Sequence, residues 1–267
     1  MSAVRRHPLI TFFLLTYAIA WGFLPFGSFT AFGPLVAALI VIPITQGWAG
    51  LLDLGGRMIR WRVGWIWYAL AIGLPLAVFL VTIGLNVALG AGAPSLAQFS
   101  PWYIVIVVFA VRLINPLEGP LGEEPGWRGF ALSRLQADRS PLLATLILAL
   151  VVAVWHAPLL LPQFAQFSLR PIELLTTFAI TFWYTWLFNR TGGSVLMTVV
   201  AHSTQGIIQP PALWAAEAAT ARVVLLDAVV WCAVAIGLVV FDWHCWRGTA
   251  PTPATVHPVY EGESRVQ

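Results

Sequence analysis

The chain has 267 residues, of which 59% are hydrophobic and only 9% are charged, and its mean hydropathy is +0.84. Soluble domains average about 25% charged residues, so the composition excludes a water-soluble globule and indicates an integral membrane protein. The basic residues are all arginines and the net charge is only +3, which argues against a nucleic-acid partner.

The membrane spans are predicted from charge-free stretches, because a transmembrane helix needs about 20 mostly apolar residues. We expect an all-α polytopic membrane fold with about eight spans, at 8–26, 32–50, 64–89, 102–136, 141–160, 172–189, 193–210 and 222–241. The arginine-containing segment 51–63 predicts a short helix in the membrane interface. One transmembrane domain over 1–247 and a disordered tail over 248–267 are expected.

Arginine placement predicts the orientation, since cytoplasmic loops are enriched in basic residues. With both termini in the cytoplasm, nearly all arginines lie on the cytoplasmic half, whereas Arg170 and Arg222 lie outside. We therefore expect a multi-pass protein of the cell membrane. Arg112 lies within the fourth span, and we interpret it with Glu118 as a separate structural pair.

Ionisable side chains inside the spans are the candidate site, because such groups are costly in lipid and mark function. They are concentrated at Glu123, Glu124, Arg128, His156 and His202. Glu124 and Arg128 are four residues apart, so on a helix they share a face and can form an ion pair.

Depth along the helices indicates that these groups meet. Ser140, in the predicted cytoplasmic turn, lies midway between Glu123 and His156, so both are about 20–25 Å along their helices from that turn. His202 is about 18 Å beyond Arg190 by the same rise per residue. This arrangement needs a long fourth span with a break at 119–122, directly before the carboxylates.

Two carboxylates and two imidazoles allow two kinds of hydrolytic chemistry. A desolvated carboxylate can act as a general base on water while imidazoles orient that water or donate to an oxyanion. Alternatively, Glu123, His156 and His202 can bind Zn²⁺ and leave one position for water. Spacing leaves both alternatives open.

Three segments resemble motifs of the CPBP family of intramembrane proteases, which includes the type II CAAX prenyl protease. They are GEEPGWRGFALSRL (122–135), VVAVWHAPLLLP (151–162) and SVLMTVVAHSTQG (194–206), and the arginine-rich stretch before the third span is similar to the bacterial branch. The resemblance implies a protease core at about 56–210 and a cavity that is reached from the cytoplasmic side.

The resemblance also implies roles for the matching residues. Glu123 would activate water, Glu124 and Arg128 would support it, His156 would hold the water or metal, and His202 would serve the metal or the oxyanion. The chain departs from the family pattern twice: Val152 replaces a Phe, and Gly206 replaces an Asn four residues after the third-motif histidine.

The sequence therefore predicts an endopeptidase, conventionally termed a metalloprotease, that cuts a membrane-associated peptide or protein in the lipid bilayer. Zn²⁺ and a metal-independent glutamate mechanism are the alternatives for its chemistry. A catalytically silent scaffold of the same fold is the alternative for its function, because Gly206 lacks a side-chain donor. A proton-coupled transporter would show paired broken helices in two related halves, and the sequence has one clear break.

Overall fold

The computed structural model describes residues 3–167 and 169–248, and this part of the chain is helical without strands. The predicted disordered tail lies outside the described residues, apart from Gly248. After a short helix at Ala3–Arg6, the main helices are α1 (Pro8–Trp21), α2 (Gly33–Met58), α3 (Trp65–Ala88), α4 (Ile104–Ile114), α5 (120–138), α6 (Pro141–His156), α7 (Glu173–Arg190), α8 (Val195–Gln205), α9 (Glu217–Phe241) and α10 (Trp243–Arg247).

Five segments among the described residues are long and apolar enough to cross a membrane. They are Pro8–Phe26, Gly33–Met58, Trp65–Ala88, Pro141–Leu160 and Glu217–Phe241. The all-α polytopic fold is thus confirmed, whereas the number of eight spans is not. The other predicted spans correspond to the short helices α4 and α8, of 11 residues each, and to α7, whose buried residues include three threonines.

The fourth predicted span is interrupted earlier than expected. Helix α4 ends at Ile114, Asn115 has an extended conformation, and Gly119 has φ 98° and ψ −73°. Helix α5 then begins at Pro120, a residue that suits the first position of a helix because it has no N–H to leave unpaired. The break is therefore at 115–119; of the predicted range 119–122 only Gly119 belongs to it, because the chain is helical from Pro120.

Two other boundaries differ from the prediction. The helix predicted at 51–63 has other bounds: helical geometry is interrupted at Gly47, where φ is 67° and ψ is −162°, and the helix that follows ends at Met58. The span at 193–210 is also too long, since α8 ends at Gln205 and a 3-10 turn follows at Pro210–Leu213. Charge pattern alone does not distinguish a kinked helix from two helices.

Helix α5 combines an α turn, Pro120–Glu124, a π-helical segment, Pro125–Leu132, and a final α turn, Ser133–Asp138. Pro125 cannot donate the usual backbone hydrogen bond, and a π segment is a common local response at functional sites. Its indole and phenyl side chains pack into the core: Trp127 lies 5.7 Å from Trp155 and Phe130 lies 4.8 Å from Phe12, measured between ring centroids.

Glycines of α5 allow its backbone to lie directly against α2. A Cβ at Gly126 would lie 2.4 Å from the carbonyl oxygen of Pro34, and one at Gly129 would lie 2.5 Å from Leu54 Cδ1. Small residues at helix interfaces are the usual device for close packing in a membrane, where apolar burial supplies little driving force. The carboxylates of α5 are positioned by this contact.

The helix ends form two chemically different faces of the bundle. At one end Arg5 donates to the carbonyl of Ile44 (2.9 Å), Arg60 donates to that of Gly192 (2.6 Å), and Arg190 forms an ion pair with Asp242. Hydrogen bonds from Arg190 hold the pKa of Asp242 below its usual range. We call this the arginine-rich end.

The opposite end has fewer basic groups. There, Arg170 pairs with Glu217 at 2.8 Å and Arg222 donates to Asn86 at 2.8 Å. The connectors between α6 and α7 and between α8 and α9 lie at this end. The asymmetry between the two ends follows the distribution of arginines that the sequence predicts.

Substituting Gly126 with Ala is expected to destabilise the fold by about 1–3 kcal/mol, because the added methyl overlaps the α2 backbone and forces the helices apart. Gly73→Ala is the matched control, since Gly73 lies within α3 with nothing within 4 Å of an added Cβ. Thermal unfolding of both variants in detergent measures the difference, and equal midpoints would contradict the close-packing assignment.

Candidate active site

A buried network joins the second carboxylate of α5 to the third polar cluster. Glu124 Oε1 accepts a hydrogen bond from Arg128 Nη1 at 3.0 Å and one from His202 Nδ1 at 2.8 Å. Glu124 and Arg128 are 0% and 2% exposed. Because the ion-paired carboxylate only accepts, Nδ1 of His202 carries a proton and Nε2 is the nitrogen left for other partners.

Aromatic stacking fixes the same residues from α7. The Arg128 guanidinium lies over the Tyr184 ring at 4.9 Å, and that ring stacks on the imidazole of His202 at 5.3 Å. A guanidinium held over an aromatic face gains a cation–π interaction that is stronger when water is excluded. The imidazole is therefore held both by a hydrogen bond and by ring packing.

His156 is oriented by its own helix. Its Nδ1 lies 2.9 Å from the carbonyl oxygen of Val152, one turn earlier, so the N–H is donated there and Nε2 remains free. The ring also lies against the Trp155 and Phe29 rings, at 4.8 and 6.4 Å between centroids. Val152 accepts this hydrogen bond with its backbone carbonyl. The presence of Val where the family pattern has Phe therefore leaves the hydrogen bond intact.

Glu123 is the carboxylate that faces the cavity. Its side chain makes no hydrogen bond to another described residue, in contrast to Glu124. A Cβ built on Gly119 would lie 3.2 Å from Glu123 Oε1 and 3.8 Å from His202 Nε2. These two atoms thus approach one common point, which stays open because Gly119, with φ 98°, has no side chain.

The predicted site residues do converge. A cavity of about 260 Å³ is lined by Glu123, Arg128, His156 and His202, while Glu124 lies behind them and holds Arg128 and His202. Threonines and glutamine supply further polar lining at Thr176, Thr177, Thr181 and Gln205. The expectation that three separate polar clusters meet at one depth is therefore satisfied by the structure.

The predicted zinc ligands do not form a metal site as they stand. Within residues 3–167 and 169–248, no group of three His, Cys, Asp or Glu side chains is placed to hold a metal ion. Glu123, His156 and His202 line the same cavity, but the three side chains are not gathered around one point. A zinc site built from them stays a prediction, and it requires these side chains to move together.

Sequence reasoning missed two residues of this cavity. Tyr184, which stacks between Arg128 and His202, belongs to a polar stripe on α7 with Thr177 and Thr181, and that helical spacing could have indicated it. Arg112 was paired with Glu118, but no ion pair joins them in the described residues. The Arg112 side chain lines the cavity instead.

The cavity lies toward one end of the bundle. It is bordered by Leu169 and by residues 208–211, which belong to the connectors at the end opposite the arginine-rich end. The sequence predicts cytoplasmic termini and the resemblance implies access from the cytoplasm. Both stay predictions.

Comparison with known proteins supports the resemblance. Residues 98–208 match a family model described as Type II CAAX prenyl endopeptidase Rce1-like, and this range contains all five predicted site residues. Over this range the chain is thus similar to the CAAX prenyl endopeptidases. CAAX prenyl protease 2 of Methanococcus maripaludis is 34% identical over 84 residues, which span 32% of this chain and 31% of that relative.

Breaking the buried network of Glu124, Arg128 and His202 is expected to destabilise the fold. Arg128→Met leaves the Glu124 carboxylate buried without its cation, which costs about 3–5 kcal/mol, whereas the double variant Arg128→Met/Glu124→Gln removes both charges and recovers much of that loss. Arg170→Ala breaks an exposed pair and is expected to cost less than about 1 kcal/mol. Unfolding midpoints in detergent compare the three, and equal losses in the single and double variants would argue against a paired Glu124.

Proposed function

We propose that the protein is an intramembrane endopeptidase that hydrolyses peptide bonds of a membrane-associated peptide or protein with a water activated by Glu123. The observation that supports this proposal best is the approach of Glu123 Oε1 and His202 Nε2 to one open point beside Gly119. A base and a hydrogen-bonding ring nitrogen directed to one point are what water attack on a carbonyl requires.

Glu123 is the general base in this mechanism. Its carboxylate takes one proton from the water as the oxygen attacks the carbonyl carbon of the scissile bond. The protonated Glu123 then gives that proton to the leaving amine as the carbon–nitrogen bond breaks. Glu123 suits this exchange because its carboxylate faces the cavity and no hydrogen bond to another described residue occupies it.

The two imidazoles orient the reacting groups. His156 presents Nε2 to the cavity as an acceptor for the attacking water, because its Nδ1–H is donated to Val152. His202, when protonated and donating Nδ1–H to Glu124, presents Nε2–H to the oxyanion of the tetrahedral intermediate. Glu124 and Arg128 are positioning residues, since they act through His202 and do not line up with the reacting atoms.

Zinc bound by Glu123, His156 and His202 would supply a Lewis acid and lower the pKa of a bound water. Those three side chains are not gathered around one point, so the steps above involve only the protein's own groups. Metal use is a separate proposal, which cleavage in the presence of a chelator distinguishes from the glutamate mechanism.

We also propose that both termini are cytoplasmic and that substrate enters from the opposite side. The arginine-rich end holds the residues that the positive-inside rule places in the cytoplasm, and the cavity is bordered by the connectors at the other end. The substrate is therefore a peptide segment in or near the outer leaflet. The relative's name refers to a CAAX prenyl substrate, and a lipidated C-terminal peptide is one candidate within the wider class.

The activity is tested with purified protein in detergent and two sets of peptides, namely hydrophobic membrane-segment peptides and a farnesylated CaaX peptide beside its unmodified form. Mass spectrometry identifies products. We expect the wild type to cleave at least one peptide and Glu123→Gln to lose at least 10³-fold in rate, because the amide cannot take the proton. Asp138→Asn, at an exposed acidic residue in the turn at the arginine-rich end, is expected to keep its rate.

Cleavage measured with and without a chelator distinguishes the glutamate mechanism from the zinc mechanism. Cleavage that persists after EDTA treatment supports the glutamate mechanism, whereas loss that zinc restores supports the metal site. If the folded wild type cleaves none of the peptides, or if Glu123→Gln cleaves as fast as wild type, the proposed function is wrong and the scaffold alternative gains support.

The orientation is tested by cysteine labelling in a variant that lacks Cys232 and Cys245. We expect a membrane-impermeant maleimide to label Ala215→Cys in intact spheroplasts, because residue 215 is exposed at the end that borders the cavity. Asp138→Cys, exposed in the turn at the arginine-rich end, is expected to react only after permeabilisation. The reverse pattern would overturn the orientation.

A further inference from the structure

The side chain of Arg112 occupies the space beside Gly206. A Cβ built on Gly206 would lie 2.0 Å from Arg112 Nη2, 2.1 Å from Cζ and 2.4 Å from Nε. Gly206 has φ −88°, a conformation open to any residue. The glycine is therefore explained by room for the guanidinium and not by backbone conformation.

The guanidinium has no carboxylate partner. Among the residues that the structure describes, no ion pair is formed by Arg112, and its Nε is shielded from solvent without a hydrogen-bond acceptor. The groups that influence its charge electrostatically are Glu118, Glu123 and Tyr184. A half-buried cation without an ion pair, and with an Nε that has no acceptor, is costly unless an anion pairs with it. The surroundings of Arg112 therefore indicate an acceptor that comes from a bound ligand.

The position of Arg112 in the cavity specifies where that acceptor lies. Gly206 follows His202 by four residues, so the two share one face at the end of α8. Arg112 therefore flanks the imidazole on the cavity wall. The side chains of Arg112 and His202 line the same cavity, and Glu123 lines it too.

We propose that Arg112 is a catalytic residue whose guanidinium, beside His202, donates hydrogen bonds to the oxyanion of the tetrahedral intermediate. This assignment rests on the proposed function. When water adds to the carbonyl carbon, the carbonyl π bond becomes a lone pair on oxygen, and the negative charge is met by the Arg112 N–H groups. The charge returns to the carbonyl when the amine leaves. Arg112 thus supplies the N–H donor that the family pattern has in the Asn side chain at the position of Gly206.

The assignment is tested first by binding, which needs no turnover. The probes are a hydrophobic phosphinic tetrapeptide, whose tetrahedral phosphinate carries the oxyanion charge, and the uncharged hydroxyethylene peptide of the same side chains. We expect the wild type to bind the phosphinate at least 10-fold more tightly than the neutral peptide. Arg112→Gln is expected to lose this preference, Arg112→Lys to keep part of it, and Arg170→Gln, outside the cavity, to keep all of it.

Rates provide the second test. Removal of one oxyanion donor lowers kcat by about 10²–10³-fold, and we expect this loss for Arg112→Gln with little change in KM.

Gly206→Asn alone is expected to impair the enzyme because the Asn side chain overlaps the Arg112 guanidinium. Arg112→Ala/Gly206→Asn is expected to recover at least 10-fold over Arg112→Ala, since the amide N–H can then reach the oxyanion.

The outcomes separate this assignment from the proposed function. A wild type that binds both probes equally, or an Arg112→Gln variant that keeps the phosphinate preference, overturns the role of Arg112 whether or not peptides are cleaved. A preference of the wild type for peptides with a free C-terminal carboxylate over their amides, lost in Arg112→Gln while kcat is unchanged, would instead make Arg112 an anchor for the substrate carboxylate. Unfolding midpoints verify that each variant is folded.

Discussion

The buried contact of Glu124 with Arg128 and His202 is the interaction on which the rest of the site depends. One carboxylate oxygen accepts from both residues, 3.0 and 2.8 Å away, in a region closed to water. A charge in that setting is stable only when its partners stay in place. The network therefore links α5 to α8 and fixes the tautomer of the imidazole that faces the cavity.

Adjacent glutamates acquire different roles from this arrangement. Glu124 forms an ion pair with Arg128 and holds His202 in place. Glu123 has no ion pair with another described residue, and it faces the cavity. The break before α5 also serves the site, because Gly119 has no side chain and leaves room where Glu123 and His202 approach each other. Gly126 lets α5 lie against α2, so the reacting groups are supported by close helix packing.

Much of this was predictable from the sequence, because hydropathy and charge are strong signals in a membrane protein. The all-α polytopic fold, the meeting of Glu123, His156 and His202 in one cavity, and the Glu124–Arg128 pair follow from spacing. The kink at Gly47 and the true position of the break depend on backbone conformation. The role of Arg112 depends on a contact with Gly206 across the fold, which spacing along one helix does not encode.

The point beside Gly119 allows the most direct test of the account. Gly119→Ala places a methyl group there, whereas Gly90→Ala imposes a similar strain at φ 90° with nothing within 4 Å. Peptide cleavage by the two variants, measured at equal amounts of folded protein, is the decisive comparison. We expect Gly119→Ala to lose at least 10²-fold in rate relative to Gly90→Ala, and equal rates would contradict water attack at this point.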